Sequence, residues 1–264
     1  MDDLKELLDI STLNETEILD RFKKIAEDLM CNYIIKKGEK EYAIIEIEFY
    51  LYTPKHQDFI TYPRKMDAGR WFFHPSGVDL TFKTDGKTQE GEDDKRKKYI
   101  VYKDCSFGGI LIRGLFRFPY SDDENKRHEA HYIFGPQKCV NELWDDFNAF
   151  EVISEEYPKI IIASEEEKVA LNSQPINCYR HIKVAKSKWI NKITQEWIKH
   201  LNLIRKENEI KSLKDNIQSY SIKLLDNKEF PYRFFNIIDG ENTWKEIKHL
   251  TNTEKKDLKK LIQG

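Results

Sequence analysis

The chain has 264 residues, of which 34% are charged and 39% hydrophobic, and its formal net charge is −2. This length allows one large domain, or one domain with a small appendage, and the apolar content is sufficient for a core. No apolar run reaches the roughly 18–20 residues that span a bilayer, and the acidic N-terminus MDDLKELLDI is unlike a secretory signal. We therefore expect a cytoplasmic protein without membrane association.

Cysteine spacing gives no sign of a metal or redox motif. The cysteines are Cys31, Cys105, Cys139 and Cys178, and all are far apart in the sequence. Scattered cysteines of this kind are usually small buried apolar residues. We expect no bound metal ion and no cofactor.

The first third of the chain alternates helical and strand patterns. Apolar spacing predicts helices over 2–9 and 15–30. Two apolar runs, 32–36 and 41–52, predict strands that are joined by a hairpin turn in the sequence KKGEK. A loop rich in turn residues follows, and then WFFHPSGVDLTFK predicts a strand after a Pro-Ser-Gly turn.

The remainder of the chain adds strands and helices in turn. Residues 84–98 are all polar or glycine, which predicts a flexible hairpin tip or insertion. The runs YIVYK, GGILIRGLFRF, KIIIAS and NCYRHIKV predict strands, and Gly-Pro opens a predicted helix in GPQKCVNELWDDF. A basic helix is predicted over 187–215 and a final helix over 251–264. These elements predict an α+β fold with a mostly antiparallel sheet core and flanking helices.

The strand IIEIEFYLY, residues 44–52, carries two acids within an apolar run. Because side chains alternate between the two faces of a strand, Glu46, Glu48 and Tyr50 should project to one side. The residues expected on the opposite, core-facing side are Ile45, Ile47, Phe49 and Leu51. For Glu46 the pattern favours an exposed position, whereas the role of Glu48 depends on what lies near it.

Arg113 lies within a second apolar strand, GGILIRGLFR. An arginine is seldom buried without an acidic partner or a ligand, so we expect it to pair with Glu48. The pair has two interpretations, which the residues alone leave open. It is either a structural salt bridge or a carboxylate that deprotonates a water and is kept ionised by the guanidinium.

Basic residues outnumber acidic ones between Lys183 and Lys214, although the whole chain is nearly neutral. A basic helix of this kind can follow a phosphate backbone. It is equally typical of a solvated helix face.

Several short motifs, in this order, resemble those of the 3-methyladenine (alkyladenine) DNA glycosylase family. They are EIEFY (46–50), TYPRK (61–65), WFFHPSGVDLTF (71–82), ILIRGL (110–115), FGPQKC (134–139) and YRHIKV (179–184). Their order and approximate spacing hold from about residue 15 to about residue 200. The resemblance implies the formyltransferase-C-terminal-like fold of those enzymes over residues 1–210, with residues 211–264 as a C-terminal extension of unknown role.

The resemblance also implies an activity, the hydrolysis of the N-glycosidic bond of a modified purine that is flipped out of duplex DNA. The general base of the family matches Glu48, and the arginine that holds the attacking water matches Arg113. A backbone carbonyl near 182–184 would complete the water site. We expect a monomer that binds damaged duplex DNA.

Other residues match less closely. Tyr50 and Phe82 match the aromatic residues that enclose the flipped base, and His56 matches a loop histidine near the base and sugar. The expected contacts with the nucleic-acid backbone are Arg64, Lys65, Lys138, Lys186 and Lys188. His74 and Asp79 lie outside the family pattern, and they are either additional pocket groups or exposed turn residues.

The chain departs from the family pattern where an aromatic hairpin would wedge into the duplex, since polar residues occupy that stretch here. Three functional classes therefore remain open. They are a glycosylase for modified purines in DNA, an N-glycosidase acting on another nucleic acid or a nucleoside, and a non-catalytic nucleic-acid-binding protein that keeps the fold.

Overall fold

Two long antiparallel strands, β2 (Lys40–Tyr52) and β7 (Phe107–Arg117), form the centre of the fold. The computed structural model describes residues 2–11, 13–119, 131–144, 156–171, 174–180, 186–225 and 230–236. The other strands are β1 (Tyr33–Lys37), β3 (Trp71–His74), β4 (Gly77–Thr81), β5 (Gln89–Glu92), β6 (Lys98–Val101), β8 (His131–Phe134), β9 (Lys159–Ile162), β10 (Ile176–Cys178) and β11 (Arg233–Phe235). The helices are α1 (Asp2–Leu7), α2 (Ile18–Cys31), α3 (Pro136–Trp144), α4 (Glu165–Ala170), α5 (Lys186–His200) and α6 (Glu207–Leu225), with a 3-10 turn at Glu15–Glu17.

Within the described residues the main sheet has nine strands, and its central order is β10-β11-β2-β7-β4-β3. β1 pairs with β2 and β9, β8 pairs with β7, and β5 and β6 form a separate hairpin. Neighbouring strands are antiparallel throughout. The predicted α+β class, with a mostly antiparallel sheet and flanking helices, is confirmed.

One face of the sheet packs against α1, α2 and α3 and holds the largest apolar core. The apolar residues of α2 recur at helical spacing, so that they form one buried stripe along the helix. At the centre of this core, the ring of Phe22 stacks on Phe49 of β2 at 4.3 Å between ring centroids. The helices therefore leave the opposite face of β2 to other contacts.

That opposite face is divided into two apolar ends and a polar middle. At one end, Tyr52 and Phe107 pack with Trp197 of α5 and with apolar residues of α6. At the other end, Ala43 and Phe116 pack with residues around α4. Between these two clusters, β2, β4, β7 and β11 present charged side chains, and the candidate site lies there.

The pairing of β2 with β7 is irregular near Glu46, the first of the two acids of β2. The register shifts on both sides of Glu46, so that Ile45 and Arg113 have no directly opposite residue in this pair. The prediction that Ile45 faces the same core as Ile47 is wrong, because this bulge turns Ile45 into the separate cluster near α4. Phe49 and Leu51 do share the main core with Ile47.

The predicted basic helix over 187–215 is two helices, α5 and α6. The chain reverses between them through Asn202 and Arg205, whose φ angles of 54° and 69° are in the left-handed region that commonly ends helices. The expected boundary at residue 210 falls inside α6. Moreover, β11 pairs with β2, so residues of the expected extension belong to the main sheet.

The polar stretch 84–98 includes β5, which pairs with β6 in the separate two-stranded hairpin. This hairpin is attached to the end of α5, because Lys199 forms an ion pair with Asp93 at 3.0 Å and the amide of Tyr102 donates to the carbonyl of His200 at 2.7 Å. The final predicted helix, 251–264, lies outside the described residues. Within the described ranges, no helix is long and apolar enough to cross a membrane.

We expect Gly108→Ala to destabilise the protein by about 1–3 kcal/mol, the range typical of overpacking. A Cβ at Gly108 would lie 2.1 Å from the backbone carbonyl oxygen of Tyr50, and two central strands would have to separate. Urea unfolding measures the change. The control is Gly91→Ala, where the added atom meets only the movable side chain of Tyr99. Equal losses for the two variants would contradict close packing of β2 and β7.

Candidate functional site on the polar face of the sheet

The two acids of β2 lie in a buried ion cluster with Arg113 of β7 and Arg233 of β11. Arg113 Nε donates to Glu46 Oε1 at 2.7 Å and Arg113 Nη1 to Glu48 Oε2 at 3.2 Å. Arg233 Nη2 donates to Glu46 Oε1 at 2.8 Å, and Arg233 Nε lies 3.6 Å from Glu48 Oε1. We call these four residues the Glu-Arg cluster. Its formal charges balance, which offsets the cost of burial.

The structure brings Glu48 and Arg113 into contact, as the sequence led us to expect. The exposed position expected for Glu46 is wrong, because the side chain is fully buried between Arg113 and Arg233. Arg233 is a partner that sequence reasoning missed. Its signal was an arginine in the apolar run PYRFFNII, the same kind of pattern that identified Arg113.

Tyr50 contacts both the Glu-Arg cluster and the buried side chain of Arg180. Its hydroxyl donates to Glu48 Oε2 at 2.7 Å. Burial, and next the charge of Glu48, raise the pKa of Tyr50 well above its usual value, so the phenol stays protonated and acts as a donor. The buried guanidinium of Arg180 lies over the Tyr50 ring, 4.7 Å from its centroid, and forms an ion pair with Asp58 at 2.8 Å. This cation–π contact holds the Tyr50 ring in place.

The charge balance within the cluster also affects its arginines. Burial alone would lower the pKa of Arg113, but the charges of Glu48 and Glu46 outweigh burial and raise the pKa above the usual value. Arg113 therefore remains cationic. This permanent positive charge offsets part of the cost of burying the two carboxylates.

A cleft of about 280 Å³ opens on the same face, beside Tyr50. Its floor includes Tyr50, Leu111 and Asp79, and α5 contributes Trp189 and Ile193 to one wall. This volume is near the lower end of the range for small-molecule sites. It suits a ligand of the size of one nucleobase better than a long chain.

Glu48 is adjacent to the cleft but does not line it. In the sheet, Asp79, Leu111 and Glu48 are directly opposite one another on β4, β7 and β2, with Arg233 next in the same row on β11. The carboxylate of Glu48 is thus linked to the cleft through the hydroxyl of Tyr50.

His74, Asp79 and Arg64 form a second buried polar group that lines the cleft. His74 Nε2 lies 2.9 Å from Asp79 Oδ1, and Arg64 Nη2 lies 2.7 Å from Asp79 Oδ2. The backbone amide of Ser76 is 3.3 Å from His74 Nδ1, so a neutral His74 accepts there and donates to Asp79 from Nε2. These contacts exclude the exposed-turn interpretation of His74 and Asp79. They also correct the expectation for Arg64, since a buried, paired guanidinium cannot contact a phosphate backbone.

Two residues expected around a flipped base lie elsewhere. Phe82 is buried in the core on the other face of the sheet, with ring centroids 6.1 Å from Phe22 and 6.4 Å from Phe49. His56 lies at a different surface pocket, with its ring 5.7 Å from Tyr232. Sequence reasoning missed other aromatic residues that line the cleft with Tyr50, among them Tyr62 and Trp189. Trp189 resembled an ordinary apolar position of an amphipathic helix.

The expected cationic residues are distributed unevenly around the site. Lys65, Lys138 and Lys188 are exposed. Lys186 begins α5, and the expected carbonyl at 182–184 lies outside the described residues. Ion pairs neutralise part of the basic stretch, namely Lys192–Glu196, Lys199–Asp93, Arg205–Asp94 and Lys206–Glu209. The basic face of α5 and α6 is therefore weaker than its composition indicates.

The chain matches no known protein-family model, and no curated protein or solved structure is significantly similar to it. Among the described residues, no group of three or more His, Cys, Asp or Glu side chains is arranged to hold a metal ion.

We expect Arg233→Met to cost about 3–5 kcal/mol in the free energy of unfolding, because it leaves the buried Glu46 carboxylate without one of its two cations. Urea denaturation measures the loss. Arg205→Met is the control, since its ion pair with Asp94 is exposed and contributes little. If the Arg233→Met variant had the same free energy of unfolding as the control variant, the ion cluster described above would be contradicted.

Proposed function

We propose that the protein is a hydrolase that cleaves the N-glycosidic bond of a modified purine flipped out of duplex DNA, with Glu48 as the general base. The observation that carries the proposal is the contact of Glu48 with Arg113 and Tyr50 beside a cleft of nucleobase size. The antiparallel sheet with flanking helices is compatible with the formyltransferase-C-terminal-like fold, which is part of the same proposal.

The free oxygen of Glu48 supports the assignment of the general base. Oε2 accepts hydrogen bonds from Tyr50 and Arg113. Oε1 lies 3.6 Å from Arg233 Nε, beyond hydrogen-bond distance, and so keeps lone pairs for a water. In the proposed step, the water oxygen bonds to C1′ as the bond from C1′ to the base nitrogen breaks, the electron pair of that bond leaves with the base, and the water proton passes to Oε1. The negative carboxylate also stabilises the positive charge that develops on the sugar.

Tyr50 has a different role in this proposal. Its phenol is protonated and bonded to Glu48, so it orients the carboxylate while its ring forms the floor on which a base would stack. Trp189 and Tyr62 provide further aromatic surface around the same volume. An aromatic enclosure of this kind binds the flat face of any nucleobase.

A second candidate is a nucleic-acid-binding protein without catalysis. It is favoured by one observation, that Glu48 is only 2% exposed and does not line the cleft. A carboxylate held in this way by two arginines could be purely structural. A protein of this class would retain alkylated DNA without releasing a base.

For the hydrolase, we expect Glu48→Gln to reduce base release from alkylated duplex DNA by at least about 100-fold, because an amide cannot take the proton of the water. Released base is measured by chromatography, and the melting temperature shows whether the fold is kept. Glu90→Gln, at an exposed position of β5, is the control and should retain activity. Undiminished release by Glu48→Gln would exclude the base assignment, and retention of DNA without release by the wild type would identify the second candidate.

For the DNA partner, we expect Lys188→Glu to weaken binding of an alkylated duplex and to flatten its salt dependence. Loss of one phosphate contact changes the slope of log K against log salt by about 0.9. Lys188 is exposed and adjoins Trp189 in the cleft wall. Fluorescence anisotropy over a series of salt concentrations measures the slope. The control is Lys5→Glu, because Lys5 is exposed on α1, a helix that packs on the other face of the sheet. The same slope in both variants would place the phosphate contacts away from α5.

A further inference from the structure

A fully buried ion pair, Asp58–Arg180, lies against Tyr50 and takes no direct part in the proposed reaction. Both side chains are 0% exposed, and Arg180 Nη1 donates to Asp58 Oδ2 at 2.8 Å and to the backbone carbonyl of Phe49 at 3.0 Å. Burial of an ion pair is costly, and apolar residues of similar volume are often as stable in the same place. A role in stability alone therefore does not account for the pair.

Tyr220 of α6 holds Asp58 from a second direction. The hydroxyl of Tyr220 donates to Asp58 Oδ1, whereas Arg180 donates to Oδ2, so the two carboxylate oxygens have different partners. Burial, and next the charge of Asp58, raise the pKa of Tyr220 well above its usual value, so this phenol stays protonated and acts as a donor. The carboxylate of Asp58 is therefore fixed in orientation, and it fixes the guanidinium in turn.

Aromatic rings surround the rest of this guanidinium. Arg180 Cζ lies 4.7 Å from the centroid of the Tyr50 ring and 5.3 Å from the centroids of Phe230 and Tyr232. Among the described residues, Arg180 Nε and Nη2 have no hydrogen-bond partner, so ring faces take the place of acceptors on that part of the cation. The Tyr50 ring cannot turn without breaking its contact with a cation that Asp58 holds in place.

The orientation of the Tyr50 ring decides which oxygen of Glu48 remains free. The Tyr50 hydroxyl donates to Glu48 Oε2 at 2.7 Å, and Oε1 is the oxygen that the proposed reaction uses. A ring that could turn would withdraw this donor, and Oε2 would keep only its contact with Arg113. Free movement of the ring would therefore loosen the carboxylate itself.

We propose that Arg180 is a positioning residue for the general base, held in that role by Asp58 and Tyr220, and that it acts by keeping the Tyr50 hydroxyl on Glu48. The catalytic meaning of this role rests on the proposed hydrolase. The hydrogen bond from Tyr50 to Glu48 can nevertheless be measured without any reaction.

This role gives a function to part of the chain beyond residue 210. Tyr220 lies on α6, and Phe230 and Tyr232 come just before β11, whose Arg233 contacts both acids of β2. The segment beyond residue 210 therefore acts on the general base in two ways, through the charge of Arg233 and through the contacts of Arg180.

The test is the proton NMR spectrum of the full chain, in which the Tyr50 hydroxyl proton is identified by its loss in Tyr50→Phe. A buried hydroxyl that donates to a carboxylate exchanges slowly with water, so wild-type protein should show this resonance. The double variant Asp58→Leu/Arg180→Met replaces the ion pair by apolar side chains of similar size, so it should keep the melting temperature and lose the resonance. Arg180→Lys, which keeps the charge opposite Asp58 but not the planar group, should also lose it.

Base release from alkylated duplex DNA is measured on the same proteins. Both Arg180 variants should release base at least about tenfold more slowly, the rate equivalent of one lost hydrogen bond. Tyr220→Phe removes only the hydroxyl that holds Asp58, and it should slow release by a factor of about 3 or more. The matched control is Arg117→Lys, because Arg117 pairs with Glu142 at the far end of β7 from Tyr50, and it should keep both the resonance and the rate.

A folded wild-type protein without the resonance, or an unchanged resonance in both Arg180 variants, would overturn the positioning role. Loss of the resonance only in variants that no longer fold would also overturn it, since Arg180 would then be structural. Failure of the proposed function gives a different result. A wild-type protein that releases no base, in variants of which the resonance is lost as expected, would reject the hydrolase and retain the placement of Tyr50 by Arg180. Release that continues at the wild-type rate after the resonance is lost would reject the positioning role and retain the hydrolase.

Discussion

The ion pairing between the acids of β2 and the arginines of β7 and β11 is the interaction on which the rest of the site depends. Each carboxylate is buried, and a lone buried charge would be too costly to keep. Arg113 and Arg233 come from strands on either side of β2, so the same contacts that neutralise the acids also hold three strands together. The position of Glu48, and through it the orientation of Tyr50, follows from this charge balance.

Strand alternation was enough to predict that Glu48 and Tyr50 share a face, and an arginine in an apolar strand was enough to predict its partner. It was not enough for Ile45, because the bulge between β2 and β7 depends on how the two strands pair and not on either sequence alone. The burial of Glu46 depends on its contacts with Arg113 and Arg233. Arg233 lies 187 residues from Glu46 in the chain. No local pattern specifies a contact at that separation, although the helices and most strands follow from local periodicity.

The cleft was harder to predict because its parts come from separate elements. Its floor belongs to β2, β4 and β7, whereas its wall belongs to α5, whose apolar stripe is explained equally well by core packing. Phe82 shows the limit of transferring a residue by motif position. Phe82 directly follows β4, and successive side chains along a strand point to opposite faces. Phe82 therefore faces the core formed with α2, whereas Asp79 faces the cleft.

Two carboxylates of the site, those of Glu48 and Asp79, lie in one row of the sheet with Leu111 between them. Two strand spacings separate Asp79 from Glu48, a backbone distance of roughly 10 Å. A flat ligand that lies over Leu111 would have Arg64 at one edge and the hydroxyl of Tyr50 towards the opposite edge. Asp79 is fixed by Arg64 and His74, and Glu48 by two other arginines, so these two carboxylates share no charged partner among the residues that the structure describes. A substitution at one end of the row therefore leaves the charge balance at the other end intact, so that in the proposed hydrolase the surroundings of Asp79 would change independently of the general base.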